Sequence, residues 1–151
     1  MLPVQAGDIF QQAMVRLDRT VANATEVETL AQFRHKPMIV SFFMPNCKWC
    51  QKQHKNLKRI EQTCPNAQVI MLGVQGNYQR LKRELHKERN HFPAYVANKE
   101  IVQAIGSQSP VPMTLIFDEV GGLVLKTVGY TSKEKLIALS LEKQLDICHS
   151  I

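Results

Sequence analysis

The chain has 151 residues, of which 44% are hydrophobic and 21% charged, and a formal net charge of +6. These values describe one globular domain with a sizeable core and exclude a disordered or fibrous chain. No apolar run approaches the ~20 residues of a membrane span. The opening stretch, Met1 to Gln12, lacks the basic-then-apolar pattern of a secretory signal, an absence that a mature secreted chain shares.

In chain order, Asp8 with Gln11 three residues on predicts a capped first helix, with Ile9, Phe10, Ala13, Met14 and Leu17 on its apolar side. Thr25 and Glu28 repeat that capping pattern ahead of Val27, Leu30 and Phe33, which predicts a second short helix. Together they make an N-terminal helical extension over about residues 1–28 of a single 1–151 domain. The run Met38 to Phe43 is nearly all apolar without helical period, as in a central strand buried on both faces. A helix follows, with Cys50, Gln53, Leu57, Ile60 and Cys64 on its inner face and Pro65-Asn66 at its end. Gln68 to Val74 reads as the next buried strand, and Tyr78, Leu81 and Leu85 define another amphipathic helix. A short strand at Ala94 to Ala97 and a helical turn at Glu100 to Ile105 come next. Met113 to Phe117 and Leu123 to Val128 form a hairpin through Asp118 to Gly122. Thr131 and Glu134 cap a last helix with the stripe Ile137, Leu141, Leu145 and Cys148. This order predicts an α/β fold with a central mixed sheet and helices on both faces.

The chemistry concentrates at Cys47-Lys48-Trp49-Cys50, between a buried strand and a helix N-terminus. Four cysteines are too few for a disulfide framework in a chain this long, and a close pair plus two distant singles points to redox chemistry. The unpaired N–H groups and partial positive charge of a first helical turn favour a thiolate, and Lys48 acts in the same direction. Cys47 is therefore the expected nucleophile and Cys50, one turn inward, the shielded resolving thiol. A zinc site would add His54 and Cys64, but that spacing along one continuous helix cannot close a tetrahedron, so no metal and no cofactor are expected. Trp49 is expected as an exposed aromatic rim, with packing on Pro45 or Met113 as the alternative. His54 is expected as a partly exposed helix residue. The basic residues Lys48, Lys52, Lys55 and Arg59 recur at spacings of 4, 3 and 4 and share one helix stripe. No aromatics interleave with them as on a base-stacking platform, which argues against nucleic acid. A solvated face and the docking of acidic partners remain as readings.

The segment Pro37 to Cys50 resembles the active-site entry of thioredoxin-fold proteins. Phe92-Pro93, Ile105-Gly106, Val111-Pro112-Met113-Thr114 running to Asp118, Gly121-Gly122 and Val128-Gly129 resemble the TlpA/ResA-like branch of thiol–disulfide oxidoreductases. The likeness covers about residues 29–147. It implies thiol–disulfide exchange on protein substrates, a periplasmic or otherwise extracytoplasmic reductase and a membrane-bound redox partner. A disulfide oxidase or isomerase, a binding or chaperone module of the same fold, and metal delivery are the competing readings. It also implies that Pro112 is a cis-proline facing the cysteine pair, with Val111 pairing to substrate backbone. Ser41 and Gln53 stand where relatives carry an acid, so neither familiar proton acceptor for Cys50 is present. Gln53 is instead expected to hydrogen-bond near the thiols. In the topology the likeness implies, the helices ending at Cys64 and Cys148 lie side by side. A structural disulfide and two buried thiols are equally open there.

Overall fold

The computed structural model describes residues 6–18, 27–106 and 110–148. At its centre lies β3 (Met38–Phe43), whose six residues are all buried. A strand apolar on both faces needs cover on both, and its neighbours supply the sheet that carries that cover. Parallel β4 (Gln68–Gly73) pairs on one side and antiparallel β6 (Met113–Phe117) on the other. β5 (Ala94–Val96) extends the parallel set beyond β4, and β7 (Leu123–Val128) forms the outer hairpin strand on β6. The crossovers that parallel neighbours require are α2 (Lys48–Thr63), between β3 and β4, and α3 (Tyr78–Lys87), between β4 and β5. Gly73 lets α3 lie close on the sheet, since a Cβ there would stand 2.8 Å from Leu81 Cδ2.

Alternate residues of β3 and β4 feed two cores. Ile39, Phe43, Val69 and Met71 pack with Leu57 and Ile60 of α2, Leu81 and Leu85 of α3, and Leu136 of α5 (Lys133–Glu142). Val40, Phe42, Ile70 and Leu72 pack on the opposite face with Ile101 of α4 (Lys99–Ile105) and with Ile9 and Phe10 of α1 (Ala6–Gln11). The expected mixed sheet with helices on both faces is therefore present.

The N-terminal extension departs from expectation. Asp8 lies inside α1, not ahead of it, and the helix stops at Gln11. Met14–Arg16 forms β1, antiparallel to β5 with Val15 opposite Val96, and Val27–Glu28 forms β2 on β1's other side. Only a single 3-10 turn, Leu30–Phe33, follows where the second helix was expected, and Thr25 lies outside the described residues. The edge of β5 explains the change: its unpaired N–H and C=O groups gain a full partner from β1. A buried cluster then fixes the pairing. Arg16 donates to the Asp18 carboxylate, to Glu28 at 2.9 Å and to the Tyr95 hydroxyl at 3.1 Å. The Asp18 hydrogen bond raises the Arg16 pKa despite burial, and burial pushes the Tyr95 phenol up to about 12. The sheet so completed has seven strands among the described residues, in the order β2-β1-β5-β4-β3-β6-β7.

The last helix also differs. Ser132, not Thr131, is its N-cap, with Oγ accepting from Lys135 N at 3.2 Å. Leu136 and Ser140 face inward, while Leu141 is 49% exposed. The helix ends at Glu142, and Gln144 at φ +67° redirects the chain so that Leu145 and Ile147 return to the core from a tail. Cys148 lies on that tail and is bonded to Cys64, the C-cap of α2.

Candidate active site

The site is built on the end of β3 and the start of α2. Asn46 adopts φ +58°, a left-handed conformation that Asn tolerates, and turns the chain into the helix. Its backbone N–H donates to Glu84 Oε1 at 3.0 Å, and Gln51 Nε2 donates to the other Glu84 oxygen at 2.9 Å. Burial pushes the Glu84 carboxyl up, but the hydrogen bonds from Asn46 and Gln51 outweigh it and hold the group below its usual range. Glu84 thus fastens α3 to the loop that presents the first cysteine.

Cys47 is the N-cap of α2, and its Sγ accepts from Cys50 N at 3.1 Å. The two cysteines form a disulfide, with Cα atoms 5.2 Å apart. Cys47 retains 8% exposure against 1% for Cys50, so the first cysteine is the less buried of the two. An N–H donor aimed at Cys47 Sγ and the positive end of a sixteen-residue helix both stabilise a thiolate at that atom. Lys48 is exposed in the first turn. Trp49 is 57% exposed, and its ring faces Tyr130 at 5.9 Å between centroids.

The Val111–Pro112 peptide bond is cis. Met113 is in register with Phe42, which puts Pro112 at the end of the sheet where β3 gives way to the cysteine loop. Gly129, at φ +82°, donates its N–H to Pro112 O at 2.8 Å and ties the end of β7 to the proline loop.

Gln53 does not engage the thiols. Its Oε1 accepts from Thr131 N at 2.8 Å and its Nε2 donates to Thr131 O at 2.9 Å, with Asn56 Nδ2 donating to the same carbonyl at 3.0 Å. A buried amide needs both a donor and an acceptor, and the peptide unit of Thr131 offers both. His54 is buried, not partly exposed: Nδ1 meets Glu88 Oε1 at 2.5 Å and the ring stands edge-on to Phe43. Ser41 is buried opposite Thr114, on the α2 side of the sheet, with no hydrogen bond to its Oγ. With His54 on Glu88 and Cys64 on Cys148, the four residues of the zinc reading do not converge.

Sequence reasoning missed Glu84, Glu88 and Tyr130. Glu84 had a visible signal, an acid within the Leu81/Leu85 apolar stripe of α3; Tyr130 had none. A surface cleft of about 850 Å³ is lined by Leu17, Lys82, Arg83, His86 and Arg89 among others and, among the described residues, takes none from α2 or the proline loop.

A cysteine pair at the mouth of a crossover helix, beside a cis-proline loop on a mixed sheet, defines a thioredoxin-fold protein. The chain belongs to the thioredoxin-like domain family, whose model matches residues 25–144. Among solved structures it resembles a secreted Mycobacterium tuberculosis disulfide oxidoreductase at 14% identity, covering 89% of this chain and 98% of that one with a TM-score of 0.70. A thioredoxin-family thiol:disulfide interchange protein of Chlorobium tepidum matches at 16% identity, 95% and 97% coverage and a TM-score of 0.70. An exposed lipoprotein thioredoxin of Streptococcus pneumoniae matches at 16% identity, 87% and 98% coverage and a TM-score of 0.68. No curated protein matches the sequence.

Proposed function

We propose that the protein exchanges dithiol for disulfide in protein substrates, with Cys47 as nucleophile and Cys50 as resolving thiol. The observation that carries this is the Cys47–Cys50 disulfide at the N-terminus of α2, with Cys47 the less buried of the pair and its sulfur accepting from Cys50 N–H. In the reducing direction, the Cys47 thiolate attacks one sulfur of a client disulfide and releases the other as a thiol after protonation. Cys50 then loses its proton and attacks the Cys47 sulfur, which frees the second client thiol and leaves the protein oxidised. Two electrons from an upstream dithiol must return the pair to its reduced state.

The direction we favour is reduction, in an extracytoplasmic setting, by a single 1–151 domain of the TlpA/ResA-like branch served by a membrane-bound redox partner. The secreted and lipoprotein relatives support the setting, and a second disulfide at Cys64–Cys148 suits an oxidising compartment. In this reading Val111 pairs with client backbone beside Pro112.

Trp49 is the protein's single tryptophan and sits between the two cysteines, so its fluorescence reports their state with the distal disulfide intact. Equilibration with glutathione tests the reading. A potential near roughly −270 mV supports a reductase, whereas roughly −120 to −180 mV makes the protein an oxidant or isomerase. The absence of any exchange refutes the enzyme and leaves a binding module.

A further inference from the structure

We infer that Trp49, Lys52 and Tyr130 form a docking platform for client segments with a carboxylate about two residues from the reacting cysteine; this inference rests on the exchange reading above. Two aromatic rings from different elements converge here on one ammonium group. Trp49 and Tyr130 are 5.9 Å apart, and Lys52 Nζ stands 5.0 Å from each ring centroid. Such contacts hold the lysine in place before a client arrives, so less side-chain freedom is lost on docking.

The platform is anchored from beneath. Tyr130 lies between Thr131, whose C=O accepts from buried Gln53 and Asn56 and whose N–H donates to Gln53, and Gly129, whose N–H donates to Pro112 O. The buried amides of α2 therefore act as positioning residues that fix a tyrosine from the β7–α5 loop beside the indole of the cysteine motif. Tyr130 in that place supplies the second ring, facing both Trp49 and Lys52.

Charge selects the occupant. Lys48, Lys52, Lys55 and Arg59 are all exposed on α2, whose single acid, Glu61, lies in its last turn. Lys52 is five residues beyond Cys47, about 7.5 Å along the helix axis. An extended client advances about 3.4 Å per residue, which brings a side chain two positions from its cysteine level with Lys52. A carboxylate at that position meets the ammonium at the edge of the two rings, while a lysine there is repelled.

The test uses the reduced full-length chain and blocked peptides whose single cysteine is held as a mixed disulfide with 2-mercaptoethanol. A glutamate or a lysine stands two residues away. Each turnover converts one mixed disulfide and the protein dithiol into two small thiols and the Cys47–Cys50 disulfide. Rates for every variant are taken relative to its own rate with bis(2-hydroxyethyl) disulfide. The glutamate peptide is expected to show an about tenfold larger second-order rate constant for this single turnover at low salt, with the preference shrinking at high salt. Lys52→Glu is expected to reverse the preference and Tyr130→Ala to weaken it. Equal rates for the two peptides, or a preference that follows Lys48→Glu and survives Lys52→Glu, overturn the inference and leave the exchange reading standing. Failure of the wild-type protein to reduce the neutral disulfide refutes the exchange reading, and this inference falls with it.

Discussion

Replacement of Glu84 tests the idea that α3 holds the cysteine loop. The carboxylate is 4% exposed and accepts from Asn46 N at 3.0 Å and Gln51 Nε2 at 2.9 Å. Hydrogen bonds to a charged acceptor contribute about 1.5–3 kcal/mol each, but the Asn46 side of the site is open to water, which recovers part of the loss. Glu84→Ala is therefore expected to destabilise the fold by about 2–3 kcal/mol, and Glu84→Gln, which keeps one acceptor, by about half as much. The folded-state pKa of Glu84 is depressed, so its contribution is fully present above the unfolded value near ~4.3 and is lost as pH falls through the folded one. Denaturant unfolding at pH 7 and at successive points below pH ~4.3 separates this from other carboxylates. The gap between wild type and Glu84→Gln should be widest at neutral pH and close on acidification. A gap that is constant with pH, or a Glu84→Ala loss under about 0.5 kcal/mol, refutes the anchoring role.

Three further outcomes follow from the geometry. Cys50→Ser should accumulate a mixed disulfide at Cys47 with client or peptide, visible by mass spectrometry, because the resolving sulfur is gone; no adduct would refute the assigned roles. The double variant Cys64→Ala/Cys148→Ala should unfold about 4 kcal/mol more easily, since the bond closes a loop across 84 residues of sequence. Calorimetry should show a fall of roughly 10 °C, at about 2–4 °C per kcal/mol in a chain of this size. Arg16→Met should cost about 2–4 kcal/mol by leaving Asp18 and Glu28 without their shared cation, and hydrogen exchange should show the loss first at the β1 and β5 amides.

The legible parts of the sequence were those where one signal dominates its own neighbourhood. β3 is six consecutive buried residues, the cysteine pair follows directly, and α3 carries its stripe at regular spacing. The N-terminal strands failed for lack of length: three residues of β1 are too few to show a period of two, and Met14 and Leu17 also fit a helical face. The cap of α5 was misplaced by one residue because Thr131 and Ser132 are both cap formers. Only the tertiary demand of Gln53 on the Thr131 backbone removes the first from the choice. That demand comes from 78 residues away, and the meeting of Tyr130 with Trp49 likewise joins distant stretches of the chain. Contacts of this kind leave no local periodicity to read.

α2 carries a disulfide at each end. Cys47–Cys50 stands at its N-terminus and Cys64–Cys148 at its C-cap, roughly 25 Å apart along one rigid rod. Any donor that recycles the first bond works in the presence of the second. The two sulfurs of the second bond differ in access: Cys64 is wholly buried, which closes that sulfur to an incoming thiolate, whereas Cys148 is half-buried. Both bonds are closed here, and the packing that buries Cys64 leaves one sulfur, that of Cys148, to govern access at the helix's far end.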